Sequence, residues 1–229
     1  MSAIATNLQA VRQRIADAAR AAGRNPESVH LLAVSKTWPA DAVLEAAEAG
    51  QTAFGENYVQ EALHKMAELQ PRTLEWHFIG PVQSNKTRPI AEQFDWVHSI
   101  DRPKIAERLS AQRPAHLPPL QVCIEVNVSE EKSKSGCPPE DATALCRAVA
   151  ALPRLRLRGL MAIPAPVEDF AQQRLAFRRL RDLLEQLRRD GLPLDTLSMG
   201  MSHDLEAAIA EGATIVRVGT AIFGTRNHP

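Results

Sequence analysis

The 229-residue sequence contains only three cysteines, Cys123, Cys137 and Cys146, and no C-x-x-C pair. An odd, scattered set of this kind argues against a disulfide framework and against a structural zinc site. Cys123 sits in an apolar run and reads as a small core residue. Aromatic residues are scarce at 4%, so the core must be aliphatic, and Tyr58 is the one tyrosine. Neither charge dominates, with Lys+Arg and Asp+Glu at 27 each. There is thus no basic field to hold a phosphate backbone, which excludes nucleic acid as a partner. The seven histidines show no H-E-x-x-H or related metal spacing. No apolar run approaches membrane-spanning length, and residues 1–23 lack the basic start and apolar block of an export signal. These absences predict a cytoplasmic protein with no membrane or metal partner.

What is present is an alternation. Ile4, Leu8, Val11 and Ile15 recur at helical spacing, and Gly23 with Asn25-Pro26 stops that first helix. Strand-like runs follow at 30–36, 52–56, 75–80, 96–100, 120–127, 158–164, 196–201 and 214–219. Helical segments separate them, at 39–49, 57–69, a weak one around 84–89, one capped by Asp101, then 141–152, 169–190 and 203–211. Eight strands alternating with helices, without a linker or change of composition, are the pattern of parallel βαβ units. A single (β/α)8 barrel over residues 1–229, α/β in class and of TIM type, is the expected fold. An open doubly wound sheet would need a glycine-rich first turn, and the turn here is Ser35-Lys36-Thr37-Trp38-Pro39. The extra N-terminal helix should pack across the barrel or cover one of its ends.

In such barrels the working residues sit at the C-terminal ends of the strands. Those ends are Lys36, Asn57, His77 with Gly80, Ser99 with Asp101, Asn127, Met161, Met199 with Ser202, and Arg217 with Gly219. Lys36 ends the dry run Leu31-Leu32-Ala33-Val34, on the same side as Leu32 and Val34 by strand alternation. Two glycine-containing turns, Ser198-Met199-Gly200-Met201-Ser202 and Val218-Gly219-Thr220, end strands seven and eight. Loops after these strands are the habitual phosphate site of barrels. Arg217 lies between two valines, on the side of Gly219, and should project into the barrel, where a guanidinium needs an acceptor. An amine on strand one and a phosphate cradle on strands seven and eight suit a phosphorylated aldehyde joined to Lys36 as an imine. Pyridoxal 5′-phosphate and an aldolase's sugar phosphate both satisfy that description.

The blocks Leu-Leu-Ala-Val-Ser-Lys-Thr (31–37), Phe-Gly-Glu-Asn-Tyr-Val-Gln-Glu (54–61) and Trp-His-Phe-Ile-Gly-Pro-Val-Gln-Ser-Asn-Lys (76–86) are specific. So are Arg-Gly-Leu-Met-Ala-Ile-Pro (158–164), Ser-Met-Gly-Met-Ser (198–202) and Arg-Val-Gly-Thr-Ala-Ile-Phe-Gly (217–224). In this order they resemble the YggS/PROSC family of pyridoxal phosphate homeostasis proteins, over essentially the whole chain. The resemblance implies a fold-type III barrel like the N-terminal domain of alanine racemase. It implies that pyridoxal 5′-phosphate is held as an imine by Lys36. Ser202 and the backbone of Gly219 and Thr220 would hold the phosphate, Arg217 would face the pyridine nitrogen, and Asn57 would contact the cofactor. His77 and Met199 complete the candidate contacts. Family members often carry a second lysine two residues after the first, where this chain has Trp38, although Lys132 and Lys134 are available in a loop. Racemases of this fold take a second base, a tyrosine, from an additional β domain, and none follows the barrel here. An arginine opposite the ring nitrogen also weakens the cofactor as an electron sink. The expected function is buffering or delivery of the cofactor to apo-enzymes that require it, by a monomer without efficient catalysis. The alternative is a pyridoxal phosphate-dependent racemase or lyase of amino acids.

Overall fold

The first helix, α1 (Ala3–Ala21), is capped by Ser2, whose Oγ accepts the Ala5 N–H at 3.2 Å. It buries Leu8, Val11, Ile15 and Ala19, one stripe at helical spacing. In the computed structural model that provides this view, residues 2–129 and 135–225 are described. Lys132 and Lys134 lie outside the described residues.

The chain then alternates as expected. The first half comprises β1 (His30–Val34), α2 (Ala40–Glu48), β2 (Ala53–Glu56), α3 (Val59–Glu68), β3 (Glu75–Phe78), α4 (Thr87–Gln93), β4 (Trp96–Ile100) and α5 (Pro103–Gln112). The second half comprises β5 (Leu120–Glu125), α6 (Pro139–Ala150), β6 (Leu155–Met161), α7 (Phe170–Arg189), β7 (Thr196–Ser198), α8 (Leu205–Ala210), β8 (Ile215–Val218) and α9 (Thr220–Phe223). Among the described residues, eight parallel strands close in chain order, with β1 pairing to both β2 and β8. This is the (β/α)8 barrel read from the sequence. None of the described helices is long and apolar enough to cross a membrane.

Several boundaries differ, each for a local reason. Strand β6 starts at Leu155 rather than at 158, because Arg156 is exposed while Leu155 and Leu157 are buried against the outer layer. Asp101 does not cap α5. Its carboxylate pairs with Arg102 at 2.7 Å, and the helix opens on Pro103. Helix α8 starts at Leu205, not 203, because Asp204 Oδ1 accepts the Met201 N–H at 2.6 Å and holds 201–204 as a turn. The one-turn helix α9 was not expected from the sequence.

The core has two layers. The outer one, between sheet and helices, is aliphatic, with Val43, Ile90, Leu120, Leu180 and Ile209 wholly buried. Among the described residues, the apolar part of the inner layer is Leu32, Val34, Ile79, Trp96, Cys123, Met161 and Ile215, with Ala53 at its edge. Polar groups complete it: His77, His98, Ser198, Arg217 and Glu125 are all buried. Helix α1 packs outside, against α2, α8 and α9. It also borders a cavity of about 950 Å³ at the N-terminal end of the barrel, through Arg12 and Ile15.

Closure depends on Gly159 of β6, where a Cβ would overlap the Thr196 carbonyl oxygen of β7. Backbone cannot yield as a side-chain tip can. Gly159→Ala should therefore lower stability by roughly 3 kcal/mol or more in a urea titration. Gly23→Ala, at φ +67° but with open space around it, should cost only about 1–2 kcal/mol.

Candidate functional site

Lys36 stands just beyond the β1 ladder. The Ser35 N–H still bonds to Gly55 O at 3.0 Å, and the Trp38 N–H then closes a turn on Ser35 O at 3.1 Å. Lys36 is half-buried in this turn rather than on the last pleat, which corrects its expected position. The next residue, Thr37, adopts φ +68°. A β-branched residue there is strained, and such strain persists only where surrounding contacts impose it.

Those contacts form one buried ion cluster. Ser35 Oγ donates to Glu56 Oε1 at 2.6 Å, and Lys65 Nζ donates to Ser35 O at 2.7 Å and to Glu56 Oε1 at 2.7 Å. Lys65 also reaches Glu61 Oε1 at 2.5 Å, and that oxygen accepts the Thr37 N–H at 2.5 Å. Both neighbours of Lys36 are thus tied to α3 and to the end of β2. Lys65 and Glu56 are 4% and 0% exposed, so neither charge is relieved by water. Burial pushes the Glu56 carboxyl up, while Lys65 and Ser35 oppose that rise.

Beside this turn, the buried Asn57 Oδ1 and Glu56 Oε2 have no hydrogen-bond partner. Buried acceptors left so are costly, and they suit a ligand that brings a donor. Gly80 permits β3 to end here, since a Cβ on it would lie 2.6 Å from Asn57 O.

Strand β8 supplies the facing group. Arg217 is 3% exposed and points into the barrel as expected. Its Nη1 donates to Ser198 Oγ at 2.8 Å and its Nη2 to Ala162 O at 2.9 Å. Burial lowers its pKa to about 10, against the pull of Glu125 and Asp204. Burial raises the Glu125 carboxyl to about 7, with Arg217 opposing. Beyond β8 the chain turns sharply at Gly219, where a Cβ would sit 3.1 Å from Val34 O, so this turn lies against the end of β1. The first N–H groups of α9, at Thr220 and Ala221, have no intrahelical acceptors. Trp38 stacks on Phe223 of α9, with centroids 5.9 Å apart, and so joins the Lys36 turn to this one. In the turn after β7, Gly200 takes φ +93°. Arg14 of α1 fixes the half-buried Ser202 by donating to its carbonyl at 3.1 Å while pairing with Glu206 at 2.7 Å.

The structure thus gathers Lys36, Asn57, Ser202, Arg217, Gly219 and Thr220 at the C-terminal mouth. Two expected contacts are corrected. Met199 is wholly buried in the outer layer, since alternation turns it away from the interior that Ser198 faces. His77 lies lower in the barrel and lines the N-terminal cavity, with both ring nitrogens hydrogen-bonded. Residues 84–86 of the Gln83–Lys86 block form a 3-10 turn, with Ser84 O accepting from Thr87 and Arg108. The Glu56–Lys65 cluster and the His98–Ser198 pair were not singled out in the sequence. Strand alternation back from Arg217 and Met199 is the signal that finds Ser198.

Removing Lys65 strands Glu56 in a dry site. Lys65→Met should cost about 3–5 kcal/mol by chemical denaturation, and adding Glu56→Gln should recover at least half. Glu125 gives a pH signature. Between its ordinary 4.5 and its folded value of about 7, the native state keeps a proton that the unfolded chain releases. Its contribution therefore falls as pH rises through that window, by up to about 3 kcal/mol at 1.4 kcal/mol per pH unit. Denaturation midpoints measured from pH 4.5 to 7 should lose that part of their slope in Glu125→Gln.

The alanine racemase N-terminal domain family model matches residues 6–227. The pyridoxal phosphate homeostasis protein of Pseudomonas aeruginosa is 67% identical over 228 residues, spanning 100% of this chain and 98% of that protein. The protein of the same name from Escherichia coli K12 is 56% identical over 231 residues, spanning 100% and 99%. PipY of Synechococcus elongatus PCC7942, in a structure with PLP bound, superposes with a TM-score of 0.84 at 40% identity, covering 96% of this chain and 100% of PipY. With its closed barrel, its lysine turn and these relatives, the chain belongs to the alanine racemase N-terminal domain family and, within it, to the pyridoxal phosphate homeostasis proteins.

Proposed function

We propose that this protein binds pyridoxal 5′-phosphate at the C-terminal mouth of its barrel and serves intracellular homeostasis of that cofactor, holding it and releasing it to apo-enzymes that need it. The observation that carries this reading is the Lys36 turn, clamped on both sides by a buried ion cluster and stacked through Trp38 onto the turn after β8. When bound, the cofactor supplies an aldehyde that condenses with a lysine amine. The residues present fit it. Lys36 is the amine, Ser202 with the Gly219–Thr220 turn offers donors to a phosphate, Arg217 presents a buried donor, and Asn57 Oδ1 is an acceptor in want of a partner.

The protein's own part is to present Lys36 in a fixed orientation and to hold a guanidinium, rather than a carboxylate, inside the barrel. A guanidinium facing the ring nitrogen leaves it unprotonated and favours holding over turnover. Tyr58, the one tyrosine, is 55% exposed at the start of α3, far from a dry acid–base position. Both features favour a carrier over a racemase or lyase.

The purified protein given pyridoxal 5′-phosphate should develop a visible absorbance band, and Lys36→Ala should abolish it. Retention of borohydride-reducible cofactor by Lys36→Ala would refute the assignment of Lys36. Turnover of an amino acid well beyond that of free cofactor would refute the carrier reading.

A further inference from the structure

The barrel interior contains a continuous run of polar side chains that the binding of a cofactor at the upper mouth does not explain. Arg217 Nη1 donates to Ser198 Oγ at 2.8 Å, and Ser198 Oγ lies 2.7 Å from His98 Nδ1. His98 Nε2 lies 2.8 Å from His77 Nδ1, and His77 Nε2 lies 2.5 Å from Glu75 Oε1. The four links cross the barrel from β8 and β7 to β4 and β3 and end on a carboxylate that is half exposed. Ser198 and His98 are 0% exposed and His77 2%. Below them His77 stacks flat on Trp96 at 5.3 Å, and the Arg158 guanidinium lies 4.9 Å from the centroid of that indole. Glu75, His77, Trp96 and Arg158 all line the N-terminal cavity.

With both imidazoles held neutral by burial, the direction of every proton in this run follows from its two ends. A guanidinium can only donate, so Ser198 Oγ accepts from Arg217 and is free to donate to His98 Nδ1. A carboxylate can only accept, so His77 Nε2 carries the proton shared with Glu75. His77 Nδ1 is then an acceptor, and His98 Nε2–H donates to it. Both rings are neutral, with the proton on Nε2, and no donor faces another donor. The charged and titratable groups around the run are Glu75, Asp95, His30 and Arg158 at its lower end, and Glu125, Asp204 and the Cys123 thiol at its upper end. Arg158 thus faces Glu75 at one end and Arg217 faces Glu125 and Asp204 at the other, and the two histidines lie between them.

We propose that Glu75, His77, His98 and Ser198 form a proton-ordered relay through the barrel that positions Arg217 as a fixed donor toward the upper mouth and couples that mouth to the cavity at the opposite end. Ser198 and His98 are positioning residues here, acting on the cofactor only through Arg217. The coupling to the cofactor rests on the reading given under Proposed function, whereas the proton order is a property of the protein alone.

The test uses protein labelled with 15N at histidine, observed with and without pyridoxal 5′-phosphate. At pH 7 the imidazole spectra should show His77 and His98 neutral, each protonated at Nε2. A proton on Nδ1 of either ring, or a charged imidazolium, would overturn the relay. Glu75→Gln alters only the half-exposed end and should move the His98 resonances as well as those of His77. Movement confined to His77 would overturn the coupling. Glu27→Gln, in the same cavity but outside the run, should leave His98 unmoved. In loaded protein, Ser198→Ala should displace the pH midpoint of the visible band by about half a unit or more, and Ser198→Thr should restore it. An unmoved midpoint would overturn the positioning role. If the protein takes up no cofactor, Proposed function fails, and the spectra of the unloaded protein still decide the relay.

Discussion

Arg217 brings a permanent positive charge into the driest part of the barrel, and much of the interior is arranged around it. A guanidinium cannot shed its proton there, so its donors must be met at fixed places. Ser198 Oγ and Ala162 O meet two of them. The carboxylates Glu125 and Asp204 act at longer range. The inner layer is consequently a thin apolar collar, Leu32, Val34, Cys123, Met161 and Ile215, threaded by polar groups. The stability of the domain must come chiefly from the outer layer, where the helices cover the sheet with aliphatic side chains.

The Lys36 turn follows a different logic. Its amine is displayed on a segment that leaves the sheet early and is then fixed by charges beneath it. Three ionisable groups, Glu56, Glu61 and Lys65, share a single patch with the Ser35 carbonyl and the Thr37 N–H. Such clusters are weak sources of stability but strict ones of geometry. The left-handed backbone at Thr37 is the local cost of that geometry.

Much of this was legible in the sequence. Long periodic segments such as α1 and α7 carried their own evidence, with Asp169 capping α7 and Phe177, Leu180, Leu184 and Leu187 buried as their spacing implied. Arg217 could be placed inside the barrel because alternation from Gly219 leaves no other side. On β7 the same alternation turns Ser198, and not Met199, to the inner face. His77, grouped with Gly80 at the end of strand three, instead lines the cavity at the opposite end of the barrel. The start of β6 was hidden by Arg156, whose charge suggests a loop but stays exposed to solvent. The Lys65 cluster was hidden for a further reason. A lysine on an amphipathic helix looks like surface, and only tertiary contact with Glu56 reveals it as 4% exposed.

The stacking of Trp38 on Phe223 has an optical consequence. Of the three tryptophans, Trp76 packs beside Phe54 in the outer layer and Trp96 lies in the N-terminal cavity, so Trp38 is the indole at the upper mouth. Any parting of the first strand's turn from the last helix must unstack that ring and change its fluorescence. The protein carries its own gauge of how far the mouth is open, readable without a dye or a label.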